Sequence, residues 1–185
     1  MRIGISGTHC SGKSSLVRAF LMDHPDYFHE AEAYEVLSEQ FGDSFSAEPN
    51  SEDLLCQLEF HVQRLQNYKA GDCVIFERTA LDYVAYLQAL GNSIWDTRLT
   101  SKAIAITNEH VSLLDAIVFL PLHGFAGDAP VDENLKLRRR VDDYLQTLLL
   151  DDEFNLFGGD GPLVVEATGP TQARLETINK LLSLN

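Results

Sequence analysis

The reading of the fold turns on Ile3-Gly4-Ile5-Ser6-Gly7-Thr8-His9-Cys10-Ser11-Gly12-Lys13-Ser14, followed at once by Ser15-Leu16-Val17-Arg18-Ala19-Phe20. Residues 7–14 fit GxxxxGKS, the P-loop pattern, placed between an apolar run that reads as a strand and a run that reads as a helix. The glycines let the backbone close into a nest of N–H donors, and the helix beginning near Lys13 aims its positive end at the same point. Such a cradle suits the phosphates of a nucleotide. The expected nucleotide-binding residues are Gly7, Thr8, His9, Cys10, Ser11, Gly12, Lys13, Ser14 and Ser15. Within them, Lys13 supplies charge to the β- and γ-phosphates and Ser14 supplies a hydroxyl to a magnesium ion. An ordinary glycine turn between strand and helix has no need of Lys-Ser at its end.

Moving outward, Cys73-Val74-Ile75-Phe76 is a short continuous apolar run of the kind buried in a parallel sheet, and it leads directly into Glu77-Arg78-Thr79. A charged pair at the carboxyl end of such a strand is where these sheets keep their chemistry. Glu77 can hold magnesium or orient an acceptor hydroxyl, and Arg78 can grip phosphate oxygens with its guanidinium fork. The bland reading of the pair is a mutual salt bridge. Ala116 to Leu120 and Leu163 to Ala167 read as further strands, and a weaker, polar one begins near Tyr27.

Helices are expected at about 31–40, 52–69 capped by Ser51, 81–90, 95–114, 135–150 and after Thr171, each from apolar residues at helical spacing. Segments 42–50 and 121–134, rich in Gly, Pro, Ser and acidic residues, read as loops, the second as part of a lid at about 121–140. The alternation of strand and helix predicts an α/β fold, a parallel sheet wound on both faces, with residues 1–185 as one domain. A chain of this length hides roughly 70% of its unfolded surface, enough for a substantial core.

Three further positions carry candidate chemistry. Glu30 is a candidate to accept the proton of an acceptor hydroxyl, with Glu32 an equal competitor by composition. On the helix after the lid, Arg138 and Arg140 flank the apolar stripe while Arg139 points away. Arg138 can pair with Asp142 four residues on, whereas Arg140 meets Tyr144 and is the less neutralised. Either can reach transferring phosphates, and the bland reading is a solvated helix face. Asp115 precedes its strand, away from the P-loop rim, and reads as structural. His9 is expected to shape the loop, and Cys10 to be a small loop residue. Tyr83, Tyr86 and Phe60 read equally as core or as the wall of a pocket for a flat base.

Composition limits the partners. The chain carries 14 Lys and Arg against 28 Asp and Glu, a formal charge of −14, which repels polyanions, so neither nucleic acid nor an anionic membrane is expected as a partner. Three cysteines without CxxC spacing argue against a disulfide framework or a zinc knuckle and for a reducing cytoplasm. The chain has no signal-peptide pattern and no apolar run of membrane-spanning length. A GTPase would need NKxD and DxxG, and neither is present, since Asn179-Lys180 continues into Leu181-Leu182.

Taken together, these residues resemble the P-loop kinases of the nucleoside and nucleotide kinase group, and within it the NadR-like AAA-type domain. The resemblance is carried by Gly7-Thr8-His9, by Phe76-Glu77-Arg78-Thr79 followed by Asp82 and Ala85-Tyr86, by the arginine-rich helix running into Val141-Asp142-Asp143-Tyr144-Leu145, and by Glu166-Ala167-Thr168-Gly169 with Arg174. It implies a five-stranded parallel sheet with a mobile helical lid, ATP and magnesium as cofactors, and γ-phosphoryl transfer to a small nucleoside-like acceptor. It also favours Glu30 as the residue facing the acceptor hydroxyl. The sequence departs from the family at Glu77, where Asp is usual, and lacks an arginine usually found near Asp128 to Asp132. The expected catalytic set is Lys13, Glu30, Glu77, Arg78, Arg138 and Arg140, with Ser14 and Glu77 at the metal. A nucleotide-binding regulatory module without transfer, and a nucleoside monophosphate kinase using Arg78 and Arg64, are the alternatives.

Overall fold

A computed structural model describes residues 1–41, 50–123, 134–159 and 161–183. The strands are β1 (Arg2–Ser6), β2 (Phe28–Glu30), β3 (Val74–Glu77), β4 (Ala116–Phe119) and β5 (Leu163–Glu166). They form one five-stranded sheet in the order β2-β3-β1-β4-β5, every pair parallel. The helices are α1 (Lys13–Asp23), α2 (Ala33–Phe41), α3 (Ser51–Leu65), α4 (Ala80–Leu90), α5 (Ile94–His110), α6 (Leu135–Leu149) and α7 (Thr171–Leu182), with a 3-10 turn at Val111–Leu113.

Strand alternation divides the core in two, because successive side chains point to opposite faces. Ile3, Ile5, Ile75, Ala116 and Val118 pack on one side with Leu16, Val17 and Phe20 of α1 and Leu175, Ile178 and Leu181 of α7. Val74, Phe76, Ile117 and Phe119 pack on the other side against α3, α4, α5 and α6. The result is three layers. In α6 the stripe Leu137, Val141, Leu145 and Leu148 is buried, and each such side chain contributes roughly 1.5–3 kcal/mol.

The winding places the site. β1 is followed by α1 on one face, while its neighbours β3 and β4 are followed by α4 and α6 on the other. The chain therefore diverges around the carboxyl end of β1, where residues 7–14 lie, the place at which such sheets bind their ligands.

Some boundaries differ from the sequence expectation. Ser51 is the first residue of α3, and its cap is Asn50, whose side chain accepts the Asp53 N–H at 2.9 Å. Either residue type can cap, and sequence alone does not choose between neighbours. α3 stops at Leu65 rather than near 69, and the helix expected over 95–114 ends at His110 before its short 3-10 turn. Residues 42–49 of the loop expected over 42–50, and residues 124–133 of the lid loop, lie outside the described residues. Among the described residues, no helix is long and apolar enough to cross a membrane.

Candidate functional site

The loop between β1 and α1 is held in shape by close contacts. A Cβ at Gly7 would sit 2.9 Å from the Leu120 carbonyl oxygen and 2.6 Å from Ser11 Oγ, so only glycine fits without a shift. Gly12, at φ 92°, takes the left-handed conformation that starts α1. Lys13 folds back over the loop, its Nζ donating to the carbonyls of Gly7 at 3.0 Å and Thr8 at 2.9 Å. It is buried, and burial, with Arg78 nearby, pushes its pKa down to about 8.

The Ser14 hydroxyl donates to Glu77 Oε1 in a short contact. His29 of β2 places Nε2 3.7 Å from the other carboxylate oxygen of Glu77. Burial opposes the charge on Glu77, but His29, Ser14 and Lys13 outweigh it and hold the carboxyl below its ordinary pKa. Ser14 and Glu77 thus place a hydroxyl and a carboxylate side by side, an all-oxygen donor set that fits magnesium.

Arg78 is the hub on the opposite side. It is buried, and its backbone sits at φ 80°, a conformation that non-glycine residues adopt only when their surroundings over-determine it. Its guanidinium pairs with Glu32, lies 3.7 Å from Asp82 and stands over the Tyr86 ring, with Cζ 5.2 Å from the centroid. Burial works against its charge, yet Glu32, Tyr86 and Asp82 raise its pKa well above the ordinary value.

The two candidate carboxylates, Glu30 at the end of β2 and Glu32 just after it, have different neighbours. Glu30 pairs with Arg64 and accepts the Tyr68 hydroxyl at 2.5 Å, while Arg64 also donates to the Ala31 carbonyl at 2.9 Å. Glu32 faces Arg78, and its charge is felt at Lys13. The geometry therefore puts Glu32, rather than Glu30, beside the phosphate-loop lysine and the strand-end arginine. Spacing along a short strand could not tell these two residues apart.

The two lid-helix arginines also separate. Arg138 is buried, its Nε donating to the His9 carbonyl at 3.1 Å and its Nη2 to the Cys10 carbonyl at 2.8 Å. Arg140 is exposed, about 200° further round α6. Asp142, expected to engage Arg138, accepts the Leu122 N–H and the Gln146 side-chain amide, each at 3.0 Å. Asp115 is bound by Arg2, at 2.6 Å from both the backbone nitrogen and Nη2, at the amino end of the sheet.

Several groups of the site were not singled out from residue chemistry. Asp82 and Arg174 entered only through the resemblance, and Tyr86 reads in the sequence as core or as a wall for a flat base rather than as a partner of the loop. Asp82 Oδ1 accepts the Gly7 N–H at 2.9 Å, the Tyr86 hydroxyl contacts His9, and Arg174 Nη1 donates to the Ser11 carbonyl at 2.6 Å. His29 was missed altogether. Its place beside Glu77 follows from the β2–β3 pairing, which no local pattern encodes.

A parallel sheet with a GxxxxGKS loop at the carboxyl end of its central strand and converging Lys, Arg, Ser and Glu side chains defines a P-loop nucleotide-binding domain. The family described as "AAA domain" matches residues 2–156, and the chain belongs to that family. Among solved structures the fold is similar to NadR protein in complex with NR, at TM-score 0.70 and 16% identity over 98% of this chain and 50% of that one. It is also similar to deoxyadenosine kinase from M. mycoides, at TM-score 0.63 and 18% identity over 99% of this chain and 100% of that one. Thymidylate kinase from Ehrlichia chaffeensis gives TM-score 0.63 and 14% identity over 98% of each chain. The chain spans about half the length of the NadR chain. No curated protein sequence matches it.

Proposed function

We propose that this chain is an ATP-dependent phosphotransferase, residues 1–185 acting as one kinase-like domain that moves the γ-phosphoryl group to a hydroxyl of a small nucleoside-like acceptor. The observation that carries the reading is convergence: Lys13, the Ser14–Glu77 pair and the Arg78–Glu32 pair meet at one end of the sheet, around the phosphate loop. A site that only held a nucleotide would not need a buried carboxylate–arginine pair beside the loop lysine.

In this reading Lys13 and the loop N–H groups bind the donor phosphates, and Arg138, whose guanidinium already lies on the loop, caps them from the lid side. Arg140, exposed on the far side of α6, is left out of the transfer. Ser14 and Glu77 would hold magnesium, which supplies neutralisation of phosphate charge. Arg78 orients the acceptor end, and Glu32 accepts the proton as the acceptor oxygen attacks the γ-phosphorus and the bond to the β,γ-bridging oxygen breaks, releasing ADP. Glu30, committed to Arg64 and Tyr68, shapes the wall of the acceptor side. Three cysteines without CxxC spacing support a reducing compartment.

The test is to supply ATP, magnesium and a panel of nucleosides, nucleoside monophosphates and related ribosides, and to follow ADP and phosphorylated product. Transfer to a nucleoside-like hydroxyl supports the reading. Transfer only to monophosphates moves the acceptor to that class. Tight ATP binding with no transfer to any acceptor overturns the enzyme reading in favour of a regulatory module.

A further inference from the structure

Helix α4 touches the phosphate loop at two points one helical turn apart. Asp82 accepts the Gly7 N–H at 2.9 Å, and four residues on, the Tyr86 hydroxyl lies 3.0 Å from the His9 backbone nitrogen and 2.5 Å from His9 Nδ1. The same tyrosine ring lies under the Arg78 guanidinium, with Cζ 5.2 Å from its centroid. Tyr86 is 5% exposed, so its orientation is set by packing. It is therefore in contact with the donor loop through its oxygen and with the acceptor-side arginine through its face.

We propose that Tyr86 is a positioning residue of the transfer site, tying His9 of the phosphate loop to the guanidinium of Arg78 so that the two hold one relative placement. The proposal rests on the kinase reading above. A phenol oxygen accepts and also carries one hydrogen. With the His9 N–H donating to it, its own hydrogen is available to Nδ1 in the tautomer that carries the imidazole hydrogen on Nε2, and Thr8 Oγ1 lies 3.3 Å from the same nitrogen. Both partners are then satisfied by a single hydroxyl. Arg78 needs such support, since its backbone at φ 80° is held by surroundings rather than by preference. The contacts made by its guanidinium with Glu32, Asp82 and Tyr86 set where the charge sits. In-line transfer depends on donor loop and acceptor-side charge being in register, and a shift of about 1 Å between them costs on the order of 100-fold in rate.

The test compares Tyr86→Phe, which keeps the ring and removes the hydroxyl, with His9→Ala and with the double variant. For each, kcat, the KM for ATP and Tm are measured. Both single variants are expected to lower kcat by about 10- to 100-fold with the KM for ATP within about threefold. The double variant is expected to be no slower than Tyr86→Phe, because that substitution already removes the contact with Nδ1 that His9→Ala removes, whereas the bond from the His9 backbone N–H survives in His9→Ala. His9 is half-buried in a loop, so His9→Ala reports on the side-chain half of the link even where Tyr86→Phe loses stability. Turnover of either single variant within about twofold of the unsubstituted chain, or losses that multiply in the double variant, overturns the proposal. An unsubstituted chain that binds ATP but phosphorylates nothing is a different result, visible before any substitution, and removes the kinase reading together with the role built on it.

Discussion

Asp82 Oδ1 accepts the Gly7 N–H at 2.9 Å, joining residues 75 positions apart, while Oδ2 takes the Thr79 N–H at 2.8 Å and the Thr79 hydroxyl at 2.9 Å. One buried carboxylate thus starts α4 through a capping box and fixes the entry to the phosphate loop. Removing it leaves three donors without a partner. Asp82→Ala is expected to destabilise the fold by about 3 kcal/mol in urea unfolding and to weaken ATP binding as well. A loss below about 1 kcal/mol with unchanged affinity would show that neither contact matters.

Glu32 and Glu30 are expected to differ in kinetics rather than in stability. Glu32→Gln removes proton acceptance and weakens the pair with buried Arg78, so kcat is expected to fall by about 100- to 10,000-fold together with a lower Tm. Glu30→Gln breaks the pair with Arg64 and is expected to lower Tm while leaving most of kcat. Steady-state kinetics and thermal unfolding of both variants check this, and the reverse pattern would hand the role back to Glu30.

Lys13 is buried and its pKa is pushed down to about 8 by burial and by Arg78, so an anionic phosphate beside it would favour its charged form. Lys13→Met is expected to weaken ATP binding by at least about 100-fold, while the stability of the nucleotide-free chain stays within about 1 kcal/mol. Calorimetric titration and urea unfolding measure the two quantities separately.

His61 of α3 is 3% exposed, stands edge-on to Phe76 with ring centroids 5.7 Å apart, and has no hydrogen-bond partner for Nε2 among the described residues. Burial pushes its pKa from 6.5 down to about 4. The unfolded chain therefore takes up this proton at a higher pH than the folded one. Stability from this residue is full above pH 6.5 and is lost as pH falls towards 4, by about 3 kcal/mol in all. His61→Leu is expected to flatten that part of the stability profile without harming Tm at pH 7. An unaltered slope between pH 6.5 and 4 in the variant would refute the assignment.

Arg138 and Arg140 provide a paired comparison on one helix. Arg138→Ala removes the contacts to the His9 and Cys10 carbonyls and is expected to cut kcat at least about 10-fold. Arg140→Ala, exposed, is expected to stay within about twofold of the unsubstituted chain in the same assay. Equal losses would mean that both arginines reach the phosphates.

What the sequence determined by itself was local. Gly7 to Ser14 reads most directly as a phosphate loop rather than an ordinary glycine turn, because a glycine-flanked loop ending in Lys-Ser between strand and helix encodes its own backbone. The apolar runs at 73–76, 116–120 and 163–167 likewise announced buried parallel strands. What the fold alone decided was which distant side chains share the site. Strand order brought His29 to Glu77, the turn of α6 separated Arg138 from Arg140, and the packing of α3 against β2 committed Glu30 to Arg64 and left Glu32 to Arg78. The reason is one of range: backbone conformation and hydrophobic period are written within a few residues, whereas an ion pair is chosen by whatever charge the finished fold buries beside it.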